Sequence, residues 1–159
     1  MISTNKKWIA VGDAARFVIY EKKMGGSLSE VKSFHNASAH LKVSDLTTGQ
    51  PGRSSDSFSR SRGGQRTTVA RHAYTNEQDA KMHAEERFLR EVSDYLDKAY
   101  LNHSFDSLVL VVNSRLLGKL RAFLSRNTRA TVMKEHIKDL AWVCGPELED
   151  RVESVISVN

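Results

Sequence analysis

The sequence predicts an α/β fold: a mixed five-stranded sheet, with three strands in an antiparallel meander and two added in parallel, and helices packed on it. Three observations predict it. The first 35 residues are rich in β-branched and aromatic residues and are divided by two turn signals. The run Leu108-Val109-Leu110-Val111-Val112 is short enough for a strand and uniform enough to be covered on both faces, as central parallel strands are. Apolar residues at helical spacing stand on either side of that run.

Taken in order, the meander strands are residues 8–11, 16–21 (RFVIYE) and about 30–35 (EVKSFH). Gly12-Asp13-Ala14-Ala15 and Met24-Gly25-Gly26-Ser27 separate them and suit two antiparallel hairpins. From about residue 42 to 74 apolar periodicity is missing and Ser, Thr, Gly and Arg dominate, which predicts a long loop. Thr75 or Asn76 can cap a helix running to about residue 101, with Glu77 and Asp79 at the positive end of its dipole. Phe88, Val92, Tyr95 and Ala99, with Leu89 and Leu96 beside them, form its apolar stripe. After the strand at 108–112 a helix is predicted over 115–124, a short one near 128–133, and a strand near 135–143. Pro146 opens a last helix with Leu148, Val152, Val155 and Ile156 on one side. The order β-β-β-α-β-α-β-α is ribonuclease H-like.

A chain of 159 residues with 40% apolar content is expected to make a single domain over 1–159. Cys144 stands alone, and no His/Cys cluster has zinc spacing, so a disulfide scaffold and a zinc ribbon are excluded and a reducing compartment fits. The N-terminal residues carry only a four-residue apolar stretch, and no later run approaches the ~18 residues of a membrane span. A cytoplasmic protein with no membrane partner, no metal and no cofactor is the expectation.

The net charge of +5 is unevenly placed. Arg53, Arg60, Arg62, Arg66 and Arg71 lie between residues 52 and 72 with one acid, Asp56, and the remaining 19 basic and 18 acidic residues nearly cancel. This reads as one cationic finger on an otherwise balanced domain. At its centre is Ser59-Arg60-Ser61-Arg62-Gly63-Gly64-Gln65-Arg66, with no aliphatic or aromatic side chain. Paired glycines let the main chain approach a ligand closely, arginines neutralise phosphates, and a backbone N–H at Gln65 is the kind of group that stabilises negative charge developing on oxygen.

Arg62-Gly63-Gly64-Gln65, on a basic loop between a meander and a long helix, resembles the GGQ loop of the middle domain of archaeo-eukaryotic class I peptide release factors. The resemblance implies a partner, the ribosome with its rRNA and peptidyl-tRNA, and a reaction, hydrolysis of the peptidyl-tRNA ester assisted by Gly63, Gly64 and Gln65. It implies RNA contact through Arg53, Arg60, Arg62, Arg66 and Arg71. A second resemblance covers nearly the whole chain. Residues 8–16 (WIAVGDAAR), Asp45-Leu46, 51–57 (PGRSSDS), Arg71-His72-Ala73, 83–88 (HAEERF) and Lys138-Asp139-Leu140 are similar to the bacterial "host attachment protein" family, itself regarded as a relative of the release-factor middle domain. The readings left open are hydrolysis independent of codon identity, as in ribosome rescue; a ribosome- or RNA-binding module that breaks no bond; and an indirect role in attachment to host cells.

Asp13, Asp56, His72, His83 and Glu86 are supporting candidates. A two-metal nuclease would use Asp13, Glu85 or Glu86, and the position of Asn113, but an amide at the third position leaves the carboxylate set incomplete. Asp13 otherwise reads as a turn residue, and His83 with Glu86 as a surface pair one helical turn apart. His72 either contacts RNA or orders the loop. Arg53, Ser54 and Asp56 either bind an anion or brace the loop's base. Cys144 reads as a small core residue.

Overall fold

A computed structural model describes residues 5–24, 26–39, 69–140, 143 and 145–157, and its side-chain description of the first long helix starts at Gln78. Strands β1 (Lys7–Gly12), β2 (Arg16–Lys22) and β3 (Leu28–His35) form the meander, followed by a 3-10 turn at Ala37–Ala39. Helix α1 (Val69–Leu101) leads to β4 (Ser107–Val112), helices α2 (Ser114–Phe123) and α3 (Arg126–Ala130) to β5 (Val132–Ile137), and α4 (Pro146–Ser157) closes the order. The sheet order is β3-β2-β1-β4-β5, with β1 antiparallel to β2 and parallel to β4, and β4 parallel to β5. The mixed five-stranded sheet is therefore present as expected.

The strands with continuous apolar sequence are the central ones, because both their faces are covered. Trp8, Ala10, Phe17, Ile19, Leu108, Leu110 and Val112 pack with Phe88, Leu89, Val92 and Leu96 of α1 and Leu116, Leu117 and Leu120 of α2. The alternate residues, Ile9, Val11, Val18, Tyr20, Val109 and Val111, pack with Val143 and with Leu148 and Val152 of α4. Period-2 alternation thus feeds two cores from one strand. Trp8 anchors the first, with Phe105 at 5.0 Å and Tyr95 at 6.3 Å between ring centroids.

Local chemistry fixes the connections. A Cβ on Gly12 would lie 2.3 Å from Cδ2 of Phe17 and 2.6 Å from the carbonyl oxygen of Arg16, so only glycine fits there. The amide of Asn113 accepts from the Leu116 N–H at 2.9 Å and caps α2, and Ser125 caps α3. Gly145, at φ 61°, turns the chain into α4, whose first residue is Pro146.

Three elements differ from expectation by three residues or more at an end. Helix α1 starts at Val69, so the segment 69–74 assigned to the loop is helical. Thr75 and Asn76 lie inside it, where the propensity cost of each is only a few tenths of a kcal/mol. The fifth strand is Val132–Ile137 rather than 135–143, and the short helix before it ends at Ala130 rather than reaching 133. As an edge strand, β5 has no fully buried residue, and so lacks the apolar alternation by which a strand is recognised.

Candidate functional site

The candidate site lies where the chain leaves the sheet after β3 and returns along α1. The β1–β2 turn is built by Asp13, whose N–H donates to the Arg16 carbonyl at 2.8 Å and whose Oδ1 accepts from the N–H groups of Ala15 and Arg16, each at 2.7 Å. Asn36 ties the end of β3 to this turn: its N–H donates to the Ala15 carbonyl at 2.7 Å and its side-chain amide to the Ala14 carbonyl at 2.9 Å. Arg16 reaches across to donate to the Val143 carbonyl. The exit of the long segment after residue 39 is thereby braced on β1, β2 and the approach to α4. Beside it, the 3-10 turn and Ala84, Arg87, Phe88 and Glu91 of α1 line a shallow groove.

Helix α1 brings a second constellation against α2. Glu85 is 7% exposed, and its carboxylate accepts from Nη2 of Arg115 at 2.6 Å and from Nζ of Lys119 at 2.8 Å. Its position explains its burial, since Glu85 is three and four residues before Phe88 and Leu89 and so continues the apolar stripe of α1. Arg115 and Lys119, four apart on α2, share the face that meets it. Glu85, a candidate metal ligand by sequence, is instead the buried member of this clamp; its place in the apolar stripe signals the need for a cationic partner, and the fold supplies Arg115 and Lys119.

Asp13, Glu85 and Asn113 of the nuclease set are engaged elsewhere, while Glu86 lines a surface hollow. Asp13 holds backbone amides, Glu85 holds two cations, and Asn113 caps α2. No group of three or more His, Cys, Asp or Glu side chains suited to a metal occurs among the described residues. His83 and Glu86 do share a face of α1, where they line a surface hollow with Ala80, Arg87 and Arg90. His83 is exposed and Glu86 half-buried, and no hydrogen bond joins them among the described residues. They share the face that the spacing suggests, without a bond between them among the described residues.

Arg71 and His72 fall in the first turn of α1 rather than at the end of a loop. Gly63, Gly64, Gln65, Arg53, Asp56, Arg60, Arg62 and Arg66 lie outside the described residues, as does Cys144. The charge of the sheet's other face is set by α4, where Tyr20 packs. Burial first, and then Glu149 and Glu30, push the phenol of Tyr20 up to about 12.

This architecture, a mixed five-stranded sheet with helices on both faces, defines an α/β protein. The family described as "Protein required for attachment to host cells" matches residues 8–152, and the chain belongs to it. No curated protein matches the chain. No helix among the described residues is long and apolar enough to cross a membrane.

Proposed function

We propose that this protein acts on the ribosome, presenting the segment Arg62-Gly63-Gly64-Gln65-Arg66 to peptidyl-tRNA and promoting hydrolysis without reading a codon. The observation that carries the reading is the placement of Gly63-Gly64-Gln65, flanked by Arg60, Arg62 and Arg66, between the meander and α1. Gln65 precedes Val69 by four residues, a tether of at most about 14 Å. From Val69 to Ala84, the first buried residue described on α1, the helix runs about 22 Å. In this reading the segment joins the N-terminal end of α1, where the helix runs ahead of its first buried residue. The carboxylates at the sheet edge already hold backbone amides and cations, which favours the loop over that edge as the place for chemistry.

In this reading water attacks the ester carbonyl, the bond from the carbonyl carbon to the ribose oxygen breaks, and the products are a peptide carboxylate and a tRNA hydroxyl. The Gln65 N–H stabilises the oxyanion, and the arginines hold phosphates. The test is peptide release from stalled ribosomes: loss of release in Gln65→Ala and in a Gly63/Gly64 double alanine variant supports it, and equal release by wild type and variants refutes it.

The family description favours a second reading, a role in attachment to host cells. On the ribosomal reading that role is indirect, through the translation of other proteins. Finding the protein on the cell surface would make it direct.

A further inference from the structure

We infer that α2, α3 and β5 form a second RNA-binding surface, separate from the Gly63-Gly64-Gln65 segment. Its choice of polyanion rests on the ribosomal reading; its existence as a cationic surface does not. Between residues 113 and 138 there are seven basic side chains and one acid, Glu135. The near cancellation of charge outside the loop therefore conceals a separation: this stretch is strongly basic, while α4 on the opposite face of the sheet carries Glu147, Glu149, Asp150 and Glu153 against Arg151.

The structure sorts the seven cations by what they already hold. Arg115 and Lys119 are occupied by Glu85, and Arg121 by Glu135, which is held below the usual carboxylate range by that hydrogen bond. Lys134 also has an interaction partner. Arg126, Arg129 and Lys138 are exposed and make no ion pair among the described residues. They run from α3, at the start of β5, to the residue after its end, a distance of about 20 Å along the sheet edge.

Beside Arg129 is a groove of about 300 Å³ lined by Leu110, Leu124, Val132 and Met133 and by Arg121, Arg129 and Lys134, with one carboxylate, Glu135, which Arg121 holds. Met133 and Ile137 stand 60% and 61% exposed on the same edge. Apolar contact area bordered by cations is what a single-stranded nucleic acid uses, its bases on the one and its phosphates on the other. The competing occupant of an open strand edge is a second copy pairing β5 to β5. A twofold axis normal to the sheet that passes through residue 134, near the middle of β5, would set Lys134 opposite Lys134 of the other copy, and cations placed directly opposite one another disfavour that pairing.

The experiment measures binding of wild-type full-length protein to fluorescein-labelled polyuridine and to ribosomes over a salt series, beside a triple alanine variant at Arg126, Arg129 and Lys138. All three side chains are exposed, so the variant is expected to keep its fold, which circular dichroism checks. Each phosphate contact to a single strand contributes ~0.7 to the slope of log affinity against log salt, so the variant's slope is expected to fall by about 2. A second variant, with alanine at Arg60, Arg62 and Arg66, separates the two readings. If the wild type binds, the loop variant fails and the Arg126/Arg129/Lys138 variant binds with unchanged slope, the second surface is refuted while the ribosomal reading stands. If the edge variant loses slope while Gln65→Ala releases peptide as wild type does, the second surface stands and the hydrolytic reading falls. A dimer in sedimentation equilibrium that the edge variant dissociates, without RNA binding by the wild type, would assign the surface to self-association and overturn the inference.

Discussion

Replacing Glu85 isolates the clamp between α1 and α2. Removing one partner of a fully buried ion pair costs ~3–5 kcal/mol, because the other charge is left without water or counter-ion. Here the relief is partial. The side chain of Arg115 is 64% exposed and that of Lys119 is 27% exposed, so both cations regain solvent when the carboxylate goes. The exposed-pair limit, up to ~1 kcal/mol, is too low, since Glu85 is itself buried and accepts two charge-assisted hydrogen bonds. Glu85→Ala is therefore expected to cost ~2–3 kcal/mol, and Glu85→Gln, which keeps one acceptor, ~1–2 kcal/mol. With a urea m-value of about 2 kcal/mol/M, the alanine variant's midpoint moves down by about 1–1.5 M. In double-mutant cycles Lys119→Ala should couple to Glu85→Ala more strongly than Arg115→Ala does, because Lys119 is the less exposed partner. A loss under ~0.5 kcal/mol for Glu85→Ala, or stronger coupling to Arg115, would refute the argument that burial makes this pair matter.

Other substitutions probe the elements that position the site. Gly12→Ala drives a Cβ into Phe17 and the Arg16 carbonyl and is expected to cost at least ~1–3 kcal/mol; a urea midpoint within error of wild type would show that the turn relaxes freely. Asn113→Ala removes the cap of α2 and should cost ~1 kcal/mol, restored by Asn113→Ser or Asn113→Asp and not by Asn113→Val. Tyr20 keeps its proton in the folded state up to about 12, whereas an unfolded tyrosine ionises near pH 10, so its contribution is whole below pH 10 and is lost as pH rises toward 12. Compared at pH 9 and 11 by urea unfolding, wild type should lose up to about 1 kcal/mol more than Tyr20→Phe after allowance for solvent screening, and equal losses would exclude Tyr20 as the cause.

How much was legible in the sequence depended on burial. Strands β1, β2 and β4 were read to within one residue at each end because both their faces are covered, and the apolar run then coincides with the strand. At β5 that coincidence fails. The sequence predicts helix at Val132 and Met133 and starts the strand three residues late, since half-buried edge residues carry no periodicity. Helix α1 was started six residues late for a different reason: Thr75 and Asn76 have the chemistry of a cap, and an interior position costs them little once the helix has a long packed stripe beyond. The Asp13 turn was legible because the interaction is local, a side chain bonding amides two and three residues on. The Glu85 clamp was not, because it joins residues thirty and more apart in sequence, and a carboxylate inside an apolar stripe states its need for a partner without naming one.

The same distinction between sequence and space governs the charge. Counted along the chain, the excess belongs to the segment 52–72 and the remainder cancels. Cancellation is a property of sums, and at physiological ionic strength a charge is felt over only about 8 Å. The acids of α4 pack on the far side of the sheet from α2 and α3, so they do not offset Arg126 and Arg129 at the surface a partner meets. If the inference above holds, a polyanion meets two cationic contacts rather than one. If both engage the same RNA, the two alanine-triple variants should each remove about 2 from the salt slope, and their combination should remove the sum, as expected of contacts that do not couple. A combined loss no greater than the loop variant's alone would mean that the sheet edge never touches the RNA.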